Sequence, residues 1–187
     1  MSNADDDLDE ALDELDEAIN AGRRAVAACV DMHRIGDELD TLGVDLYTRF
    51  ERTGDVADID DAIEIGRRAV TAPAADDVTR AARLNLLGLA LHSRAELATS
   101  VPGMLDEAVA VLRRSVAAAA STDENRPTYL ANLADACRCR TFGRSTARCS
   151  PLSSSRSGWI GVTGPTSTPS SAISTSTSNG AMRRSDD

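Results

Sequence analysis

The stretch IDDAIEIGRRAV (residues 59–70) has close copies on either side: LDEAINAGRRAV (15–26) and LDEAVAVLRRSV (105–116). All three read apolar, acid, acid, Ala, apolar, and then Arg-Arg-small-Val. In the middle copy Ile59, Ala62, Ile63, Gly66, Ala69 and Val70 recur at helical spacing and form one face of an α-helix. Acids stand in the first turn and the arginine pair further on, which suits the helix dipole. This pattern is termed helix B.

A second phrase lies between the copies. LDTLGVDL (39–46), LNLLGLAL (84–91) and LANLADAC (130–137) align at offsets of 45 and 46 residues. Leu39, Leu42, Gly43 and Leu46 make an apolar stripe with a small residue where a neighbouring helix must come close. Leu84, Leu87, Gly88 and Leu91 repeat it, and Leu130, Leu133, Ala134 and Cys137 repeat it again. This pattern is helix A, and the order is B, A-B, A-B, A. RTGD (52–55) ends the first A helix, with Gly54 suited to a left-handed cap. Asp58 is placed to cap the following B helix. TAPAADD (71–77) and STDENRP (121–127) are B-to-A turns, with Pro127 in a first helical turn. No segment alternates at period two, so no sheet is expected.

Helical pairs repeating every 44–46 residues predict an all-α chain, an α-solenoid. Leu-x-x-Leu-Gly-x-x-Leu followed by a helix with alanines at fixed places resembles tetratricopeptide repeats. RFERTGDVADIDDAIEIGRRAV (49–70) and LNLLGLALHSRAEL (84–97) are similar to repeat arrays of actinobacterial proteins that often precede a caspase-like (CHAT) peptidase domain. The resemblance spans residues 12–141 and follows an acidic N-terminal segment, 1–11. The chain departs from the pattern in three places. The first unit lacks an A helix, ATSVPG replaces the second Arg-Thr-Gly-Asp link, and the third unit stops after its A helix.

The resemblance implies a concave groove, lined by A helices, that binds an extended peptide or a partner helix. Counted from the Leu-Gly pair, the groove positions are Asp40 and Tyr47, Asn85 and His92, and Asp135 and Arg138. Asn85 would clamp peptide backbone and Tyr47 would be a stacking anchor. The alternative is that all six are ordinary solvated polar residues. The arginine pairs are expected on the outer face of helix B, beside nearby acids.

The chain of 187 residues carries 30 acidic and 20 basic residues, a formal charge of −10. Residues 1–141 hold 28 of the acids and 15 of the bases, and every base is Arg. An acidic body argues against nucleic acid and against an anionic membrane as partners. A protein or peptide partner is expected, with no cofactor and a cytoplasmic location, since neither a signal sequence nor a span is visible. No catalysis is expected. His33 and His92 are the only histidines, no nucleophile motif or phosphate loop occurs, and the carboxylates of helix first turns are explained by capping. Cys137 falls at an apolar helix position. Cys137-x-Cys139 on a helix points its two thiols apart, and with Cys149 no fourth ligand is evident, so no metal is expected.

Residues 142–187 break the pattern with 13 Ser and 6 Thr. They read as a disordered Ser/Thr-rich tail. They also read as the out-of-frame translation of a GC-rich gene. Shifting the frame over residues 140–149 admits DLRALDRAV, a B-helix opening, although a small deletion is needed as well. On that reading the parent protein carries more repeats, and the last A helix exposes a face that self-associates.

Overall fold

Six α-helices follow one another in the computed structural model, which describes residues 3–32, 34–97 and 102–142. They are α1 (Asn3–Ala28), α2 (Arg34–Thr53), α3 (Val56–Thr71), α4 (Asp77–Glu96), α5 (Met104–Ala118) and α6 (Arg126–Phe142). No strand occurs among the described residues, so the chain is all-α there. The helices take the B, A-B, A-B, A order of the sequence pattern. α1 is longer than its B phrase and runs without a break through residue 11. Residues 143–187, and with them both readings of the tail, lie outside the described residues.

Local chemistry sets the helix ends. Gly54 adopts φ 72°, the left-handed conformation that costs glycine least, and its N–H closes back on the Phe50 carbonyl at 2.8 Å. Asp55, not Asp58, caps α3, accepting from the Ala57 N–H at 2.9 Å. Asp58 is instead buried at 3% exposure, where Arg49 grips both of its carboxylate oxygens. The expected cap is therefore displaced by three residues, because a longer-range arginine claims Asp58. Asp76 caps α4 through the Thr79 N–H at 2.7 Å, and that bond holds its carboxyl below the usual range.

Each helix packs on the next, and A helices also touch across units, α2 on α4 and α4 on α6. One apolar core runs from Ile19 on α1 through Leu42, Leu46, Ile59 and Leu91 to Ala108 and Val111 on α5. Glycines admit the closest approaches. Gly22 of α1 meets Leu42 of α2, and Gly66 of α3 meets Leu87 of α4, each at 3.3 Å from where a Cβ would stand. Gly22 and Gly66 are the same position in successive B phrases, and so are Leu42 and Leu87 in the A phrases.

α4 is central. Ala81 and every residue from Arg83 to Ala95 are buried, as expected of a helix covered on all sides. α6 is attached differently. Its apolar contacts form two small clusters outside the main core, Tyr129 with Ala81 and Ala119, and Ala136 with Val109 and Leu112. Leu133 and Cys137 pack at the edge of the second cluster. The expected stripe on α6 is only partly buried: Leu130 is 46% exposed and Ala134 is also exposed. Their equivalents Leu39 and Leu84, and Gly43 and Gly88, are buried. α2 and α4 each lie beneath the B helix that follows them, α3 and α5, whereas no described helix follows α6.

Candidate functional site

The repeated phrase carries two ladders of ion pairs. In the outer one, the first arginine of each B phrase reaches the second acid of the next. Arg23 of α1 pairs with Asp61 of α3 at 2.7 Å, and Arg67 of α3 pairs with Glu107 of α5 at 2.9 Å. In the inner one, the first acid of each B phrase holds an arginine of the following A helix. These pairs are Asp16 with Arg49, Asp60 with Arg94 at 2.7 Å, and Asp106 with Arg140 at 3.7 Å. The arginine pairs were expected beside nearby acids on their own helix, yet the bonds that form run between units. The inner ladder was legible in advance, since Arg49, Arg94 and Arg140 recur at offsets of 45 and 46. The outer pairs are about half exposed, so each should contribute under about 1 kcal/mol and weaken with salt. A double-mutant cycle on Arg67→Ala and Glu107→Ala, read by urea unfolding, should give a coupling of roughly 0.2–1 kcal/mol that shrinks at high salt. A coupling unaffected by salt would contradict this reading.

The positions expected to line a groove sit in the layer of A helices, and three of the six are closed. Tyr47 is fully buried, with its hydroxyl 3.0 Å from that of Ser93 on α4. Asn85 is 4% exposed and accepts a hydrogen bond from the Asn132 side-chain amide of α6 at 2.9 Å. His92 is 3% exposed and lies 3.7 Å from Glu96 one turn on. In this structure the stacking anchor and the backbone clamp are thus taken up by contacts between helices, because α4 is flanked by α2 and α6. Asp40 is half-buried and bonded to Arg83 at 2.7 Å. Burial pushes its carboxyl up to about 6 despite the adjoining guanidinium. Asp135 is half-buried and Arg138 is exposed, and the two pair with each other on α6.

Sequence reasoning missed the most connected residue of this layer. Arg83 is a buried cation on α4. It donates to Asp40, to Asp37 at 3.3 Å, and to the carbonyls of Ala69, Ala72 and Pro73 at the end of α3. Gly36 lies against its guanidinium. The corresponding place on α6 is held by Tyr129, and Arg126 takes over the capping, donating to the Val116 and Ala119 carbonyls of α5.

A pocket lined by Arg23, Leu42, Leu46, Asp61, Glu64 and Ile65 holds about 140 Å³. That is well below the roughly 300–1,000 Å³ of a typical small-molecule site. No helix of the described residues is long and apolar enough to cross a membrane. Compared with protein-family models, curated proteins and solved structures, the chain matches none.

Proposed function

We propose that the chain is a protein–protein interaction module, a short α-solenoid of tetratricopeptide-like hairpins that receives a partner helix or peptide and has no catalysis of its own. The observation that carries this reading is the outer face of α6. Leu130 and Ala134 are exposed there, at places whose equivalents on α2 and α4 are buried beneath a following B helix. An apolar strip with a small residue at its centre fits an amphipathic helix. This also moves the contact from the middle of the A-helix layer, where Tyr47, Asn85 and His92 are closed, to its open end, beside Asp135 and Arg138. The second reading, a regulatory array detached from a caspase-like peptidase, draws on the same face, because a B-type helix is what that face fits.

A peptide of residues 104–118, the B helix of the preceding unit, serves as the probe. Added to the isotopically labelled chain, it should shift the amide resonances of Leu130, Leu133, Ala134 and Arg138. Leu130→Asp should weaken binding at least tenfold. Saturating peptide that leaves these resonances unmoved overturns the reading.

A further inference from the structure

We infer that His92, Glu96 and Cys139 form a binding site for a transition-metal dication of the zinc class, one that fastens α6 to α4. His92 and Glu96 stand one turn apart on α4, so both side chains leave the same helix face. Cys139 comes from α6 and directs its thiol to the Glu96 carboxylate at 3.6 Å. The His92 Nε2 to Glu96 Oε1 separation is 3.7 Å, and the nitrogen, oxygen and sulfur atoms all lie within 4.8 Å of one another. Metal bonds of about 2.0–2.1 Å to nitrogen, 2.0–2.2 Å to oxygen and 2.3 Å to sulfur place neighbouring ligands of a tetrahedron roughly 3.3–3.6 Å apart. The two separations that involve Glu96 need to close by only a few tenths of an ångström, and the His92–Cys139 separation by at most about 1.2 Å.

The donor set selects the kind of ion. Imidazole, carboxylate and thiolate together suit zinc and its neighbours, whereas magnesium and calcium take oxygen ligands. The three residues are largely or fully buried, with side-chain exposures of 3% for His92 and 14% for Glu96 and a residue exposure of 8% for Cys139. Three protein ligands leave a fourth position for water. Position in the fold supports a fastening role. α6 is held by two small apolar clusters and scattered polar contacts, and it is the helix with most to gain from a link to the central α4. The Cys-x-Cys spacing that argued against metal in the sequence is also resolved. Cys137 turns to the α5 side, among Val109, Leu112 and Ala136, while Cys139 alone faces α4.

The test is a titration of the full, reduced, metal-stripped chain with Co²⁺ alone, followed by displacement with Zn²⁺. One equivalent of cobalt should produce a thiolate-to-cobalt charge-transfer band and the visible bands of tetrahedral cobalt, and zinc should abolish both. The triple variant C29S/C137S/C149S should keep the spectrum, and Cys139→Ser should lose the charge-transfer band while retaining its helical circular dichroism. Zinc should also slow amide exchange along α6 at least tenfold in the wild type and not in Cys139→Ser. Absence of the charge-transfer band in the wild type, its survival in Cys139→Ser, or its loss in the triple variant overturns the assignment.

Discussion

Replacing Arg83 with Ala should destabilise the chain by about 3–5 kcal/mol, the usual consequence of removing one partner from a buried ion pair. The side chain is 2% exposed and serves three groups at once, Asp40, Asp37 and the carbonyl end of α3. Without it, Asp40 keeps its burial and loses its counter-charge, and the Pro73 carbonyl loses a donor at 3.0 Å. Arg83→Lys should recover only part of the loss, since one ammonium cannot span donors that a guanidinium spreads over a plane. The effect should depend on pH. Asp40 in the folded chain titrates near 6, above its ordinary 3.8. Between those values the folded state holds the extra proton, so this group's contribution to stability falls as pH rises through the window. Removing Arg83 takes away the influence that lowers the Asp40 value, so the window should widen upward. The penalty of Arg83→Ala should therefore be smaller at pH 5 than at pH 8. Urea unfolding at both values checks it, and a penalty under about 1 kcal/mol at pH 8 would show that Arg83 does not hold α3 and α4 together.

The Gly88–Leu112 contact should give the next largest effect. Leu112 is fully buried, and its Cγ stands 2.5 Å from where a Cβ on Gly88 would lie. Leu112→Ala should cost about 2–5 kcal/mol through lost burial and the cavity left behind. Gly88→Ala should cost roughly 1–3 kcal/mol from overpacking, offset in part by the better helix propensity of alanine. The double variant should be more stable than the sum of the two predicts, because the smaller residue 112 makes room for the new methyl. Gly66→Ala is the contrast: its nearest neighbour is the Leu87 Cδ1 at 3.3 Å, the movable end of a side chain. Thermal or urea unfolding of the four chains checks the cycle, and strict additivity would mean that the contact does not limit the approach of α5 to α4.

The two glycine contacts also show where reading by analogy stops. In the first two B phrases the eighth residue is Gly, and a leucine of the next A helix fills the space. In the third phrase that residue is Leu112, which turns inward against Gly88 of its own unit. The alignment contained both letters, and only packing decides which side of a helix accommodates the other. Ser115 is similar. It stands where the earlier copies have Ala, and it remains buried because its hydroxyl donates to the Ala81 carbonyl at 2.7 Å.

The sequence alone determined that the described residues form helices, where the A and B segments lie and which face of α2 and α3 is buried. Apolar residues at helical spacing can hide from water only along one stripe, and that requirement is local. It also contained the residues of both ion-pair ladders, which recur at the period of the unit, although not their pairing from one helix to another. The tertiary structure decided everything that depends on what stands opposite. Asp58 passed from cap to ion pair because Arg49 reaches it. Tyr47, Asn85 and His92 passed from groove positions to the interior because neighbouring A helices close over them. Cys139 met Glu96 across 43 residues of chain, and His92 one turn before it, because α6 lies on α4. A side chain's neighbours on its own helix follow from spacing, whereas its neighbours on another helix follow from how far apart, and at what rotation, two packed cylinders come to rest.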